Sequence, residues 1–315
     1  MKGNVRHMLI SPSTAAHNPR SWFHRFEGPT WLLAAGLYTV WLLLVLFHAL
    51  LPWWLLAPAG AYVTALHFSL QHEAIHGWRS CPAWLRNALV WPPIGLWLPF
   101  FVYRRSHSIH HRNPNLTYPN RDTESVYHRR QDWAHYSRAY KTLLTINQTF
   151  FGRLLIGPPI RIYKLLARDL SPLLRRDFRD LPIWAAHTAG VAGILWFVTG
   201  VGGMPAWQYI VFFAYGGMVL SWIRPFLEHR WGDRPYERVA SIESNWFFGL
   251  LFLWNNLHIV HHRHPTMPWY EIPGFYREHR ANLLAVNGHY VYNGYFDLVR
   301  RYSFKPAFIP VHPDT

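Results

Sequence analysis

The chain has 315 residues, a length that one large domain or two small ones can have. Half of the residues are apolar, 17% are aromatic and the net charge is +15, which is unusual for a soluble enzyme and ordinary for a membrane protein. The single cysteine, Cys81, excludes a disulfide framework and a thiolate-rich metal site. The basic residues follow no groove-reading motif, so we expect no nucleic-acid partner.

The N-terminal residues 1–30 are predicted to form a cytoplasmic arm. They carry scattered basic residues and no apolar core followed by small residues, which argues against a cleavable signal peptide. A nearly unbroken apolar run follows over 31–71. As one helix this run would be about 60 Å long, roughly twice the thickness of the hydrocarbon core of a bilayer. It must therefore turn, and with Pro52 at the turn we predict membrane spans at 31–51 and 53–71.

A second apolar hairpin is predicted further along the chain. Residues 181–200 and 205–223 each have about the length of a membrane span. All lysines and arginines lie outside the windows 26–78 and 181–223, so the tips of both hairpins lack positive charge. By the positive-inside rule, both termini and the polar connections then lie in the cytoplasm.

We therefore predict an all-α integral membrane protein with four transmembrane helices in two hairpins, and we expect it in a bacterial inner membrane. The alternative is a soluble bundle whose core helices supply the apolar runs. It is less favoured because such helices are shorter and have a polar face.

Two further apolar stretches, 88–103 and 245–257, are too short to span and are predicted to be interfacial segments. Each leads into a histidine cluster. The remaining polar segments are predicted to form a helical cap on the cytoplasmic side of the membrane. The predicted membrane domain covers 31–280, and a cytoplasmic tail covers 281–315.

Three short histidine clusters are the strongest chemical signal in the chain. They are His72 and His76; His107, His110 and His111; and His258, His261 and His262. Residues three and four apart share a helix face, so we expect the imidazoles of each cluster to point together. Eight imidazoles exceed one tetrahedral zinc and indicate two metal ions. Iron fits this chemistry best, because it combines all-nitrogen ligation with oxygen chemistry.

Three alternatives stay open. Single histidines are usually structural, although three repeated clusters are hard to explain in this way. Residues 72–76 have the H-E-x-x-H form of a zinc peptidase, with Glu73 as general base, but a zinc peptidase leaves two clusters without a purpose. A metal transporter would need ligands near the middle of the bilayer, whereas these clusters lie at the edge of the membrane.

The order H-E-x-x-H, H-x-x-H-H and H-x-x-H-H, placed after the second span, before the third and after the fourth, resembles the membrane fatty acid desaturases and their hydroxylase and ketolase relatives. The resemblance covers about residues 30–280. It implies a cytoplasmic non-haem diiron site with the eight clustered histidines as ligands, and oxygen-dependent chemistry on an acyl or hydrocarbon chain. Relatives have three or four residues between the histidines of the first box. This chain has three, unlike the acyl-CoA desaturases, which leaves the substrate subgroup open.

The resemblance also implies a ninth ligand, because relatives often add a histidine just beyond the fourth span. His229 stands there and is predicted to bind metal; the alternative is a surface histidine paired with Glu228. Glu73 points off the ligand face of the first cluster, and we predict that it orients an imidazole from behind. Asp122 and Glu228 are predicted to act in the same way. The alternative for these two residues and for Glu124 is equally favoured: each would be a solvated charge or would form an ion pair with an arginine.

We expect an oxygen-dependent diiron oxidoreductase that desaturates a fatty acyl chain, with two iron ions and dioxygen as co-substrate. A hydroxylase, a ketolase or an oxidative decarboxylase would use the same site, and an intramembrane zinc protease is a distant alternative. The sequence has no cysteine set and no glycine-rich dinucleotide loop to carry electrons. We therefore expect a separate electron donor of the ferredoxin or cytochrome b5 type, attracted by the basic cytoplasmic face. A membrane lipid or an acyl carrier would bring the substrate.

Overall fold

The structure, a computed structural model, describes residues 22–315, without the side chains of Asp169, Leu170 and Leu173. The predicted arm therefore lies mostly outside the described residues. The fold is mostly helical. The α-helices are α1 (Trp22–Arg25), α2 (Gly28–Leu46), α3 (Trp53–His76), α4 (Ala83–Val90), α5 (Phe100–Arg112), α6 (Arg130–His135), α7 (Arg138–Ile146), α8 (Phe150–Leu174), α9 (Leu181–Trp196), α10 (Ala206–Gln208), α11 (Gly216–Ser221), α12 (Trp246–Leu251), α13 (His258–Arg263), α14 (Ile272–Val286) and α15 (Gly294–Tyr302).

The first predicted hairpin corresponds to α2 and α3, with shifted ends. Helix α2 starts three residues before the predicted position, because Pro29 lies in its first turn, where a missing N–H leaves no hydrogen bond unmade. It also ends five residues early, at Leu46. Pro52, in an extended conformation, precedes α3. Helix α3 continues past residue 71 to His76, so the first histidine cluster lies on the helix itself.

The second predicted hairpin is also helical, but it contains π-helical turns. Helix α9 continues as a π-helix over Phe197–Val201, and a second π-helix over Tyr209–Tyr215 joins α10 to α11. Within residues 22–315, two helical segments are long and apolar enough to cross a membrane, Gly28–Leu46 and Leu181–Val201, and Ala206–Ser221 is a shorter apolar helix. Length and composition alone show that the two longer segments could cross a membrane.

Helix α3 lies at the centre of the packing, against α2 on one side and the 206–221 segment on the other. Two glycines allow the close approach to the 206–221 segment. A Cβ atom on Gly60 would lie 2.8 Å from the ring of Phe213, and one on Gly217 would lie 2.4 Å from Thr64 Cβ. Both distances are too short for real contacts, so only glycine permits this spacing between the helices.

The prediction of a purely helical fold is wrong in one detail. Strand β1 (Ser241–Ile242) pairs in parallel with strand β2 (Val291–Tyr292), and the N–H of Ser241 donates to the carbonyl of Tyr290 at 3.0 Å. Two-residue strands leave no alternating pattern in a sequence, which explains why they were not predicted. Their pairing draws the region after α14 back onto the connection that follows α11. Helix α14 itself runs across residue 280, where we had placed the end of the membrane domain.

Candidate metal centre

The predicted ligands come from three helices and one loop. The end of α3 carries His72 and His76, α5 carries the second cluster in its last two turns, and α13 carries the third. His229 lies in the loop after α11, where an antiparallel bridge to Val239 fixes its backbone. These elements are far apart in sequence, and the structure brings their nine imidazoles together.

The nine histidines form two groups. We call one the five-histidine group: His72, His76, His107, His111 and His261. We call the other the four-histidine group: His110, His229, His258 and His262. Within each group, one nitrogen from every side chain lies within 4.8 Å of the others. Each group can therefore hold one metal ion, and the role of the nine histidines as ligands stays a prediction.

The expectation that all histidines of one cluster point together is wrong for the second and third clusters. His107 and His111 are four residues apart and share a group, whereas His110 belongs to the other group. The third cluster divides in the same way, with His261 separated from His258 and His262. Adjacent residues are about 100° apart around a helix, so neighbouring imidazoles must diverge. Each H-x-x-H-H cluster therefore contributes to both groups.

The four-histidine group has the spacing of ligands around one cation. Its Nε2 atoms are 3.1 Å apart between His110 and His229, 3.0 Å between His229 and His258, and 3.1 Å between His258 and His262. Two nitrogens bound at about 2.1 Å and at right angles to one ion are about 3.0 Å apart. The five-histidine group has one such contact, 2.9 Å between the Nε2 atoms of His111 and His261.

Carboxylates and a carbonyl support three of these imidazoles from behind. The Nδ1 atom of His110 donates to Oδ1 of Asp122 at 2.7 Å, and Nδ1 of His107 donates to Oε1 of Glu124 at 2.9 Å. The Nδ1 atom of His229 donates to the carbonyl of Arg238 at 3.1 Å, so its Nε2 presents a lone pair. Such contacts fix the tautomer and the orientation of a metal-binding imidazole. The predicted contact of Asp122 with an imidazole is therefore present.

Glu228 lies between an arginine and the four-histidine group. Its Oε1 atom is 3.0 Å from Nη1 of Arg224 and 3.5 Å from Nδ1 of His258. Burial raises the pKa of Glu228 to about 7; the charge of Arg224 opposes this shift, whereas Glu124 adds to it. Both sequence-based expectations for Glu228 thus describe part of its environment, since it forms an ion pair with arginine and also lies near an imidazole.

Glu73 does not have the contact that we predicted. Among the residues that the structure describes, its Oε1 accepts from the backbone N–H of Trp269 at 3.3 Å and no hydrogen bond to an imidazole is present. Its position one residue after His72 turns the side chain about 100° away from the ligand face. The carboxylate therefore anchors the segment between α13 and α14 to α3.

Burial keeps most of the imidazoles neutral. It lowers the pKa of His229 to about 3 and those of His258 and His262 well below their ordinary value, with neighbouring histidines adding to the effect. For His110, burial also acts downward, but Glu124 and Asp122 outweigh it and raise the pKa to about 9. A neutral imidazole offers a lone pair to a metal, and at His110 a cation would compete with the proton for Nε2.

Several buried imidazole nitrogens fit a bound metal, because they have no hydrogen-bond partner among the residues that the structure describes. These atoms are Nε2 of His76 and His107 and both ring nitrogens of His72. Buried polar atoms without a partner are costly unless something else satisfies them. An imidazole-only donor set suits iron, copper, zinc or nickel.

A comparison with protein families identifies the chain. The model of the fatty acid desaturase family matches residues 49–294, which include all nine histidines of the two groups. The chain belongs to the fatty acid desaturase family. A search of curated proteins returned no match.

Membership in the fatty acid desaturase family establishes the class of the protein. It is an oxidoreductase enzyme, and its family acts on lipids. The match favours this class over a zinc peptidase, because it runs through all three histidine clusters and not only through residues 72–76. Family membership and the apolar helices together indicate a membrane protein.

A cavity of about 200 Å³ opens beside the metal centre of this desaturase-family chain. Its wall includes His72, His229, Glu124 and Glu228 from the centre. The two stretches predicted as interfacial segments also contribute to it, with Trp97, Leu98, Tyr103, Phe252 and Asn255. The cavity therefore joins the two histidine groups to an apolar wall.

Two contacts that support imidazoles, those of Glu124 and of the Arg238 carbonyl, were not predicted from the sequence. The sequence did not distinguish Glu124 from an ordinary surface charge. It lies two residues after Asp122 in the same loop, and this spacing could have indicated a shared role. The carbonyl of Arg238 left no signal, because any residue supplies a backbone carbonyl. Sequence reasoning finds side chains of a particular chemistry and does not find backbone partners.

Proposed function

We propose that the protein is a diiron desaturase that introduces a double bond into a fatty acyl chain. The observation that carries this proposal is the gathering of nine imidazoles into two groups, in a chain of the desaturase family. The reaction consumes one dioxygen, two electrons and two protons, removes two hydrogens from adjacent carbons, and releases two waters. Bound iron supplies the activation of dioxygen and the oxidising power.

In this proposal, the protein's own residues hold the ions and the substrate chain. The nine histidines hold the two ions, and Asp122, Glu124 and the Arg238 carbonyl keep three imidazoles in the orientation that binds them. The apolar part of the cavity wall, with Trp97 and Phe252, holds the alkyl chain and limits access of water to the ions. Glu228 and Arg224 form an ion pair, and both residues line the same cavity.

For the arrangement in the membrane, we propose four spans and a cytoplasmic metal site. The support is the absence of lysine and arginine from 26–78 and 181–223, together with the apolar helices in both windows. Labels at residues 52 and 203 should react only from the far side of the membrane, whereas reporters within 120–170 and at Thr315 should be cytoplasmic. Labelling of the 120–170 region from the far side would overturn this arrangement.

We propose that the electrons come from a separate acidic protein, a ferredoxin or a cytochrome b5, and that the substrate arrives from the membrane or on an acyl carrier. The net charge of +15 supports this, because a basic face attracts acidic partners and anionic lipid surfaces alike. Turnover with a soluble donor should fall as ionic strength rises. A rate that does not change with salt would contradict electrostatic docking of the donor.

The test of the function is lipid analysis by mass spectrometry in a host that supplies an electron donor. Cells that express the protein should contain acyl chains lighter by two hydrogens, and cells that express a His258→Ala variant should not. A product heavier by one oxygen, with no new double bond, would assign a hydroxylase. Metal analysis of the purified protein should find about two irons per chain, and one zinc in their place would assign a zinc enzyme.

A further inference from the structure

The cavity beside the metal centre is also lined by a group of basic side chains that the proposed reaction does not use. Arg153, Arg161 and Lys164 project from one face of α8, since they are spaced eight and three residues apart, and all three line the cavity. Gly157 lies on the same face, and a Cβ there would come within 3.2 Å of Cδ of Arg153. We call these three basic residues the cationic end of the cavity.

Arg153 is the central residue of the cationic end, because it is buried and only partly satisfied. It is 6% exposed, its Nη2 donates to Oε1 of Gln148 at 2.8 Å, and its Nε has no hydrogen-bond partner in the part of the chain that the structure describes. Its guanidinium carbon lies 5.9 Å from the centre of the Phe226 ring. Burial lowers the pKa of Arg153 to about 10, so the guanidinium remains charged at neutral pH.

Two of the three basic residues lack an ion-pair partner within residues 22–315. Among the described side chains, neither Arg153 nor Lys164 forms an ion pair with an acidic residue. Burial and the neighbouring Arg161 and Arg153 lower the pKa of Lys164, which indicates that the three cations lie close together. Burying a charge without an ion-pair partner is costly, so Arg153 and Lys164 are stabilised when an anion binds to them.

The cationic end also lies close to the metal centre. Glu124 belongs to the metal centre, because its Oε1 accepts from Nδ1 of His107 in the five-histidine group. Glu124 and the three basic residues line one continuous cavity. An anion at Arg153 would therefore share a single cavity with the carbon chain that faces the histidines.

We propose that the cationic end binds the acidic head group of the substrate, a carboxylate or a phosphate, inside the cavity. The substrate is then an amphiphile with an anionic head close to the carbon that reacts. An acyl chain whose head group stays outside the protein would leave Arg153 and Lys164 unpaired. This inference rests on the proposed function only for the location of the reacting carbon, and the binding preference can be measured without turnover.

Equilibrium binding to the purified full-length protein in an uncharged detergent tests the proposal. The probes are radiolabelled palmitate, unlabelled hexadecyl phosphate as a competitor, and methyl palmitate, which has the same chain without the charge. Palmitate or hexadecyl phosphate should bind at least about tenfold more tightly than the ester, since hydrogen bonds to charged groups contribute most to such recognition. The tighter of the two acids identifies the head group. Equal affinity for the acids and the ester would overturn the proposal.

Two variants and one matched control locate the effect. Arg153→Gln and Lys164→Gln should each weaken binding of the preferred acid by about tenfold or more and leave the affinity for methyl palmitate unchanged. Arg153→Lys keeps the positive charge and should bind the acid much more tightly than Arg153→Gln. Arg168→Gln removes the same charge from an exposed position on the same helix, outside the cavity wall, and should change neither affinity.

The unchanged affinity for the ester also shows that each variant is folded. If Arg153→Gln does not fold, Lys164→Gln carries the test alone. An equal loss for acid and ester, or an equal effect of Arg168→Gln, would contradict the proposal. Because these measurements need no oxidation, a failed desaturation assay together with a strong preference for acids would reject the proposed reaction and keep the anion site.

Discussion

The two histidine groups differ in how the protein supports them. In the four-histidine group, His110, His229 and His258 each have an oxygen near Nδ1, at 2.7, 3.1 and 3.5 Å. In the five-histidine group, among the hydrogen bonds of the described residues, only His107 has such support, from Glu124 at 2.9 Å. His72, by contrast, is buried with both ring nitrogens unpartnered. Contacts with protein oxygens therefore hold more imidazoles of the four-histidine group than of the five-histidine group.

This difference implies that the two metal positions are not equivalent. Imidazoles that are held in place before the metal arrives lose less freedom when they bind it, so the four-histidine group should bind its ion more tightly. The five-histidine group has more ligands but looser ones. The predictions below test this comparison, beginning with the largest expected effect.

Removing a single histidine from either group should abolish most of the enzyme's activity. His258→Ala removes a ligand from the four-histidine group and His72→Ala removes one from the other, and each should reduce activity by at least about 10–100-fold, the usual cost of losing even a supporting contact. Iron content should fall by about half in each variant, since one group stays intact. The double variant should lose nearly all iron.

His187→Ala is the matched control for these substitutions. His187 is buried on α9, where its Nε2 donates to the carbonyl of Leu96 at 3.0 Å, and it belongs to neither group. Activity and iron should stay near the wild-type values. If it lowers iron as strongly as His258→Ala, the losses report unfolding and not ligation.

His229→Ala tests the ligand that comes from outside the three clusters. Its Nε2 lies within 3.1 Å of two other Nε2 atoms, so removal should open the four-histidine group. We expect loss of activity and of about half or more of the bound iron, measured by metal analysis, while the five-histidine group keeps its ion. Full iron content with near-normal turnover would leave the eight clustered histidines to hold the metals alone.

Asp122→Asn and Glu124→Gln compare the two kinds of support. Asp122 has the shorter contact, and its side chain is almost fully buried, whereas that of Glu124 is 26% exposed. Both changes weaken acceptance from an imidazole N–H, and we expect about a tenfold or larger loss in metal affinity for Asp122→Asn and a smaller loss for Glu124→Gln. Iron titration followed by activity measures both. A larger loss for Glu124→Gln would reverse the proposed order of the two groups.

The sequence predicted the clusters, the apolar hairpins and Asp122, because each of these is a pattern of side-chain type or spacing. It did not predict how the clusters divide between the groups, since that depends on how α5 and α13 face each other. His110 and His111 are neighbours in sequence, yet they belong to different groups. The cationic end of the cavity was not predicted either. In the sequence Arg153 resembles any other arginine, and only the fold shows that its side chain is buried.

Glu73 offers the most sensitive test of the idea that the five-histidine group lacks support. Because its carboxyl group accepts from the N–H of Trp269 and from no imidazole of residues 22–315, Glu73→Gln, which keeps an acceptor oxygen, should retain iron and keep activity within about twofold. Glu73→Ala removes the acceptor and should lower the free energy of unfolding by about 1 kcal/mol, again with iron retained. Thermal unfolding and metal analysis measure the two effects separately. A tenfold loss of metal affinity in Glu73→Gln would mean that this carboxylate orients an imidazole after all, and the two groups would then be supported more equally than their contacts indicate.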